Sequence, residues 1–308
     1  MGVEIIKVKP ADDGMRLNRW FLKYYPGLSL GKFNKLLRTK QIKVDGARAE
    51  ASLKLMVGQE IRVPPLEAEK VQAQHVEISA KDKEFIRSLI VYKDDNIIVI
   101  NKPSGVAVQG GSNIKRHIDG MLEGLMFERD EKPKLVHRID KETSGILVLA
   151  RDRKNAEVLT SAFKDKKLSK TYLLISRGVP KINAGEVKVS LEKNGEKMTA
   201  VNEGKKAITK YKVIDTSGNK FALIEASPLT GRTHQIRAHM EHIGCPIVGD
   251  DKYFGSERVR YSEFADKLFL HAYKIDLSGI YNKKPVISVP LPEHFKNALN
   301  LLGISFKG

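Results

Sequence analysis

Residues 135–150 read LVHRIDKETSGILVLA. Leu135 and Val136 begin one apolar strand, and Gly145 opens a second that runs from Ile146 to Ala150. Between them stand His137, Arg138, Asp140, Lys141, Glu142, Thr143 and Ser144, a dense polar cluster set between two segments that belong in a core. Burying such groups is costly unless they are paired or used. From these residues alone two readings stand level: a turn whose Asp caps backbone amides, or a cluster that does chemistry.

Outward from this stretch the pattern is one of short strands. NIIVINKPSG, KLVHRID, GILVLA, KTYLLIS, AITKYKVID and FALIEAS are β-branched and bounded by Gly, Pro, Asn or Asp. Two helices are expected among them. Asp152 can cap the first, which puts Ala156, Leu159, Ala162 and Phe163 on one face; the second runs around Thr233 to Ile243 and ends at Gly244. The expected architecture is α+β, with a mixed, mostly antiparallel sheet in a catalytic domain over residues 88–308.

Residues 14–65 read as a separate small α+β domain. Leu17, Trp20, Phe21 and Tyr24 recur at helical spacing, with Arg16, Arg19 and Lys23 as a separate stripe. Ser29 can cap a second helix whose buried face is Leu30, Phe33, Leu36 and Leu37, while Lys32, Lys35 and Arg38 lie on another side. QIKVDG then reads as a strand ending in an Asp-Gly turn, and EIRVPP as a second strand. Residues 66–87 mix charges with few apolar side chains and are expected to be a linker.

Composition narrows the function. The chain of 308 residues carries 54 Lys and Arg against 37 Asp and Glu, a net charge of +17. Residues 1–65 hold 13 of those bases and 6 of the acids, well over a third of the excess in a fifth of the length. Such a balance suits a polyanion, nucleic acid first, with membrane surfaces and simple solubility as the bland alternatives. A single cysteine, Cys245, excludes an internal disulfide and a multi-thiolate zinc site. Neither an apolar span nor a secretion-type amino terminus is visible, so a cytoplasmic protein is expected. GxxxxGK[ST], GxGxxG and HExxH are absent, and no cofactor is expected. His234, His239 and His242, spaced by five and three, do not share one helical ligand face and read as core or surface histidines, so no metal is expected either.

The segment HRIDKETSG resembles the signature of the ribosomal RNA branch of the pseudouridine synthases. NKPSGVAVQGG (Asn101 to Gly111), KTYLL, PLTGRTHQIRAHM (Pro228 to Met240), GCPIVGDDKYFG (Gly244 to Gly255) and LFLHAYKI (Leu268 to Ile275) resemble that family's other blocks, in its order. Two basic helices followed by a small hairpin resemble an S4-type RNA-binding module. Departures are small: Ile139 stands where Leu is usual and Cys245 where His is common.

The resemblance implies an RNA-modifying isomerase, a monomer acting on structured RNA, most of all large-subunit ribosomal RNA, without a cofactor. It implies Asp140 as the nucleophile, Arg237 as the arginine beside it and Tyr172 as a tyrosine packed against the base. Arg138 is implied as the contact to displaced RNA; His137 either shares that task or is structural. Arg16, Arg19, Lys32, Lys35 and Arg38 would meet phosphates, which gives affinity and salt dependence without reading sequence. Isomerising uridine moves the ribose bond from N1 to C5 of the uracil with no net redox change or hydrolysis. A carboxylate is suited to it, and a neighbouring arginine favours that carboxylate's charged form. Arg237→Lys is expected to weaken catalysis more than folding, through loss of a planar bidentate partner. Other classes remain: a non-catalytic RNA-binding assembly factor, a synthase acting on transfer RNA, or a glycosidase pairing Asp140 with Asp250 or Asp251.

Overall fold

The structure, a computed structural model, describes residues 2–66, 78–110, 116–254, 264, 266–281 and 286–306. The chain divides into two compact units, Met1–Glu77 and Ile78–Gly308.

The smaller unit contains β1 (Glu4–Lys7), α1 (Leu17–Tyr24), α2 (Leu30–Arg38), β2 (Lys43–Val44), β3 (Ala47–Arg48) and β4 (Glu60–Val63). Its strands form one antiparallel sheet in the order β1-β4-β2-β3. Leu17, Trp20 and Phe21 of α1 and Phe33, Leu36 and Leu37 of α2 are buried in its core, so helical spacing in the sequence becomes packing. The Ser29 hydroxyl accepts the Lys32 amide at 3.3 Å and caps α2. Leu30, expected on the buried face, is 59% exposed, because the first helical residue points away before the face is established. Asp45 and Gly46 both take positive φ (49° and 73°), the backbone of a tight hairpin turn. β1 was not an expected strand; it forms by adding to the open edge of β4, a tertiary cause with little local pattern.

The larger unit begins with α3 (Ala80–Ser88), then β5 (Ile90–Lys93), β6 (Ile97–Lys102), α4 (Ile118–Met121), β7 (Lys134–Leu135) and β8 (Ser144–Ala150). It continues through α5 (Arg153–Lys164), β9 (Ser169–Arg177), β10 (Ala184–Asn194), β11 (Lys197–Val201), β12 (Lys205–Ser217) and β13 (Phe221–Pro228). Last come α6 (Gln235–His242), β14 (Leu270–Asp276), β15 (Val286–Ser288) and α7 (Glu293–Leu302). Among the described residues one sheet runs in the order β11-β10-β12-β13-β9-β14-β8-β6-β5, with β15 beside β14 and β7 beside β8. Its pairings are antiparallel except that of β14 with β8. The mixed, mostly antiparallel α+β fold expected from the sequence is therefore present. No described helix is long and apolar enough to cross a membrane.

All seven residues of β8 are buried, which explains its unbroken run: both faces of a central strand are covered. Gly145 takes φ 108° where β8 crosses β14, and a Cβ there would collide with the Ala272 carbonyl. Two expectations need correction. The stretch expected as a linker over 66–87 contains α3, capped by Ser79 and anchored by the fully buried Ile86; part of the rest, residues 67–77, lies outside the described residues. KLVHRID is a strand only at Lys134–Leu135. Beyond that the His137 ring replaces the strand, its Nε2 accepting the Val148 amide of β8 at 2.8 Å.

Candidate active site

Asp140 follows the end of β7, in the loop that returns into β8, and its side chain is 28% exposed. The loop is held from behind. Lys102, fully buried at the end of β6, donates to the carbonyls of Pro103, Val106 and Lys141 at 2.9, 2.8 and 2.9 Å. Gly105 donates its amide to the Lys141 carbonyl at 3.0 Å, and the Ser104 hydroxyl donates to the Glu142 carbonyl at 2.7 Å. Burial pushes the Lys102 pKa down to about 7, with Glu142 and Asp140 acting the other way. Three carbonyls call for three N–H donors, which only the ammonium form provides. The NKPSG stretch thus fixes the turn that presents Asp140, a positioning role the sequence reading did not assign.

Facing Asp140 is α6, and Arg237 on it is 5% exposed. Its guanidinium, expected beside Asp140, lies there: Nη1 donates to Asp140 Oδ2 at 3.5 Å. What the sequence did not show is a second carboxylate, Asp250, whose Oδ2 and Oδ1 accept from Nε and Nη2, both at 2.7 Å. Asp250 takes the bidentate partner because it is itself 2% exposed and has no water to turn to. It also accepts the amides of Lys252 and Tyr253 at 3.0 and 3.1 Å. Burial works against the charge on Arg237, and Asp250, then Asp140, raise its pKa above the ordinary value. A carboxylate so engaged is poorly placed as the second acid of a hydrolase, which weakens the pairing of Asp140 with Asp250.

Asp140 and Arg237 line a cleft of about 340 Å³. From β9 come Lys170 and Tyr172; burial lowers the ammonium's pKa, and burial followed by Asp140 raises the phenol's, so Tyr172 keeps its proton. Arg138, next to Asp140, is exposed at the cleft. His137 also lines it, but its Nε2 serves Val148 and its ring stacks on Phe163 with centroids 4.4 Å apart. Burial, then Lys170, push its pKa down to about 3. Its engagement is that of a framework residue.

The opposite wall is the loop from Pro228 to Gln235. Gln235 ties it to β12: its Oε1 accepts from the Thr230 hydroxyl at 2.6 Å and the Arg232 amide at 3.1 Å, and its Nε2 donates to Ile208 O and Thr209 Oγ1, both at 2.9 Å. His234, read from the sequence as a core or surface residue, is brought into the cleft with Nε2 3.9 Å from Asp140 Oδ2. It caps α6 with φ 50°, a left-handed conformation that costs a non-glycine residue about 1–2 kcal/mol. Spacing on a helix could not reveal this, because His234 lies just outside the helix that His239 and His242 share. Arg16, Arg19, Lys32, Lys35 and Arg38 are exposed on the smaller unit; Lys23 is drawn off its stripe by Asp12, at 2.7 Å.

Comparison with known proteins places these observations in a family. A family profile described as RNA pseudouridylate synthase matches residues 96–242. The chain is 40% identical over 292 residues to the ribosomal large subunit pseudouridine synthase C of Rickettsia felis, covering 91% of this chain and 94% of that one. To the protein of the same name in Escherichia coli K12 it is 33% identical over 313 residues, 97% of each chain. Among solved structures, human RNA pseudouridylate synthase domain containing 4 superposes with a TM-score of 0.62 at 28% identity, over 74% of this chain and 99% of that one.

Proposed function

The chain belongs to the RNA pseudouridine synthase family, and from that premise we propose that it isomerises uridines of large-subunit ribosomal RNA with Asp140 as the reacting carboxylate. In that reaction the bond between ribose C1′ and uracil N1 breaks, the base turns, and C1′ bonds to C5. N1 gains a proton, and the proton on C5 is lost to solvent. One observation carries the reading: Asp140 is the carboxylate among the described residues lining the cleft, 28% exposed to it, and it shares an arginine whose other nitrogens are committed to Asp250.

The remaining assignments are those the family resemblance implies, and the chemistry of the side chains supports them. A uridine in structured RNA must leave its stack to enter a cleft of this size, at a cost of a few kcal/mol. Arg138, exposed beside Asp140, is suited to stack on the RNA the base leaves behind. Tyr172 offers a ring face and a protonated hydroxyl to the base rather than acting as a base itself. The smaller unit, read as S4-like, supplies phosphate contacts through Arg16, Arg19, Lys32, Lys35 and Arg38. Large-subunit ribosomal RNA is favoured as the substrate by the names of the relatives.

The test uses ribosomal RNA carrying uridine tritiated at C5. Wild-type protein releases tritium to solvent, whereas Asp140→Asn should be slower by about a thousandfold or more while binding the RNA within about threefold, because phosphates dominate affinity. Full-speed release by Asp140→Asn would remove the carboxylate from the reaction; binding without release by the wild type would favour the non-catalytic reading.

A further inference from the structure

The phenol of Tyr253 is fully buried. Its oxygen accepts the Met198 amide at 2.6 Å and lies 3.0 Å from Nδ1 of His234. A buried hydroxyl needs an acceptor for its own hydrogen. Among the described residues His234 Nδ1 is the acceptor within reach, so the hydroxyl donates to it. A neutral imidazole that accepts at Nδ1 carries its proton on Nε2. That nitrogen is 3.9 Å from Asp140 Oδ2, the same oxygen that Arg237 Nη1 approaches at 3.5 Å.

We infer that His234 is a positioning residue, locked by Tyr253 as its Nε2–H tautomer, which turns the positive end of that N–H toward Oδ2 of Asp140 across 3.9 Å, alongside Arg237, and leaves Oδ1 to meet the nucleoside. The inference rests on the reading of Asp140 as the reacting carboxylate. Two further features agree with it. The ring stands edge-on to Tyr253, with centroids 5.6 Å apart, which fixes its plane. Its residue holds a left-handed backbone that side chains rarely adopt, and such conformations persist where the surroundings enforce them. The charged groups around the ring are Asp140, Arg237, Lys252 and Asp250, with Tyr253 beside them; burial lowers the pKa of His234, Asp140 opposes this, and the net direction is down. The ring facing Asp140 is therefore a neutral imidazole near pH 7.5.

Long-range proton–nitrogen correlation spectra of the full chain, labelled with ¹⁵N in its imidazoles, read the tautomer directly. At pH 7.5 the His234 signal, assigned by its loss in His234→Gln, is expected to show Nε2 protonated and Nδ1 as an acceptor. Tyr253→Phe should mix the two tautomers and lower kcat about tenfold with little change in KM. His234→Gly accepts the left-handed backbone without strain but leaves the buried Tyr253 hydroxyl without its acceptor, so it should unfold somewhat more easily than wild type, and kcat measured on the folded protein should fall about 10- to 100-fold. A proton found on Nδ1 in the wild type, or a His234→Gly enzyme that turns over at the wild-type rate, overturns the inference. The tautomer readout needs no activity, so an active Asp140→Asn would sink the Asp140 reading separately.

Discussion

Arg237 shows how one buried charge can serve two carboxylates. Its guanidinium spends Nε and Nη2 on Asp250, which holds its plane so that Nη1 faces Asp140. Lysine has no planar fork and could satisfy one carboxylate at a time. Arg237→Lys is therefore expected to cost folding stability as well as activity, because Asp250 stays buried with an imperfect partner; about 3–5 kcal/mol, the cost of a broken buried pair, is the upper bound. Urea unfolding and single-turnover kinetics on the same preparations separate the two losses, and a stability within about 0.5 kcal/mol of wild type would show that Asp250 does not depend on the fork. The sequence reading put the damage in catalysis more than in folding, since nothing in THQIR reveals that a carboxylate thirteen positions later also claims the arginine. Asp140 and Arg138 could be singled out because they sit in an oddly polar break between apolar strands, while their roles, and the choice of Tyr172, came from the family resemblance. Lys102 and His234 could not, because a carbonyl cage and a hydroxyl partner are properties of the assembled fold.

Strands presented a different problem from residues. The clearest of those read correctly are β6, β8, β9 and β13, central strands whose burial writes a continuous apolar run into the sequence. The β10–β11 hairpin escaped because it is exposed along much of its length and alternates weakly. In the same way α3 escaped because its charged face outweighs Phe85 and Ile86. At the crossing of β8 and β14 the backbone itself is specified. Gly145 adopts φ 108° against the Ala272 carbonyl, so Gly145→Ala meets both a forbidden backbone and a collision with main chain that cannot swing aside. A loss of about 2–4 kcal/mol is expected. Since Ser144 and the Asp140 loop lie directly before this point, kcat should fall more than the unfolded fraction explains. Thermal unfolding together with kcat measured well below the melting temperature checks this; unchanged values for both would show that the strands separate there without consequence.

Across the larger unit, its histidines tie stability to pH. His239 on α6 and His271 on β14 are fully buried, and neither ring nitrogen of His239 has a hydrogen-bond partner among the described residues. The Ser144 hydroxyl and His271 Nδ1, 2.9 Å apart, join β8 to β14. Burial is the main cause that pushes both pKa values down to about 4, from the ordinary 6.5. The unfolded chain begins to take up these protons near pH 6.5, while the folded protein refuses them until about pH 4. The stability they support is therefore complete above pH 6.5 and declines as the pH falls toward 4, by about 1.4 kcal/mol per pH unit for each histidine, or roughly 3 for the pair. One of these rings lies on the helix that carries Arg237 and the other is bound to Ser144, so unfolding and loss of the site should proceed together. Urea midpoints are expected to fall steadily between pH 6.5 and 4.5, and His271→Asn should flatten that slope by one proton's worth even where it lowers the midpoint at pH 7.5. A midpoint that holds constant down to pH 4.5 would mean that these rings already carry their charge inside the fold, and the burial argument for both would fail.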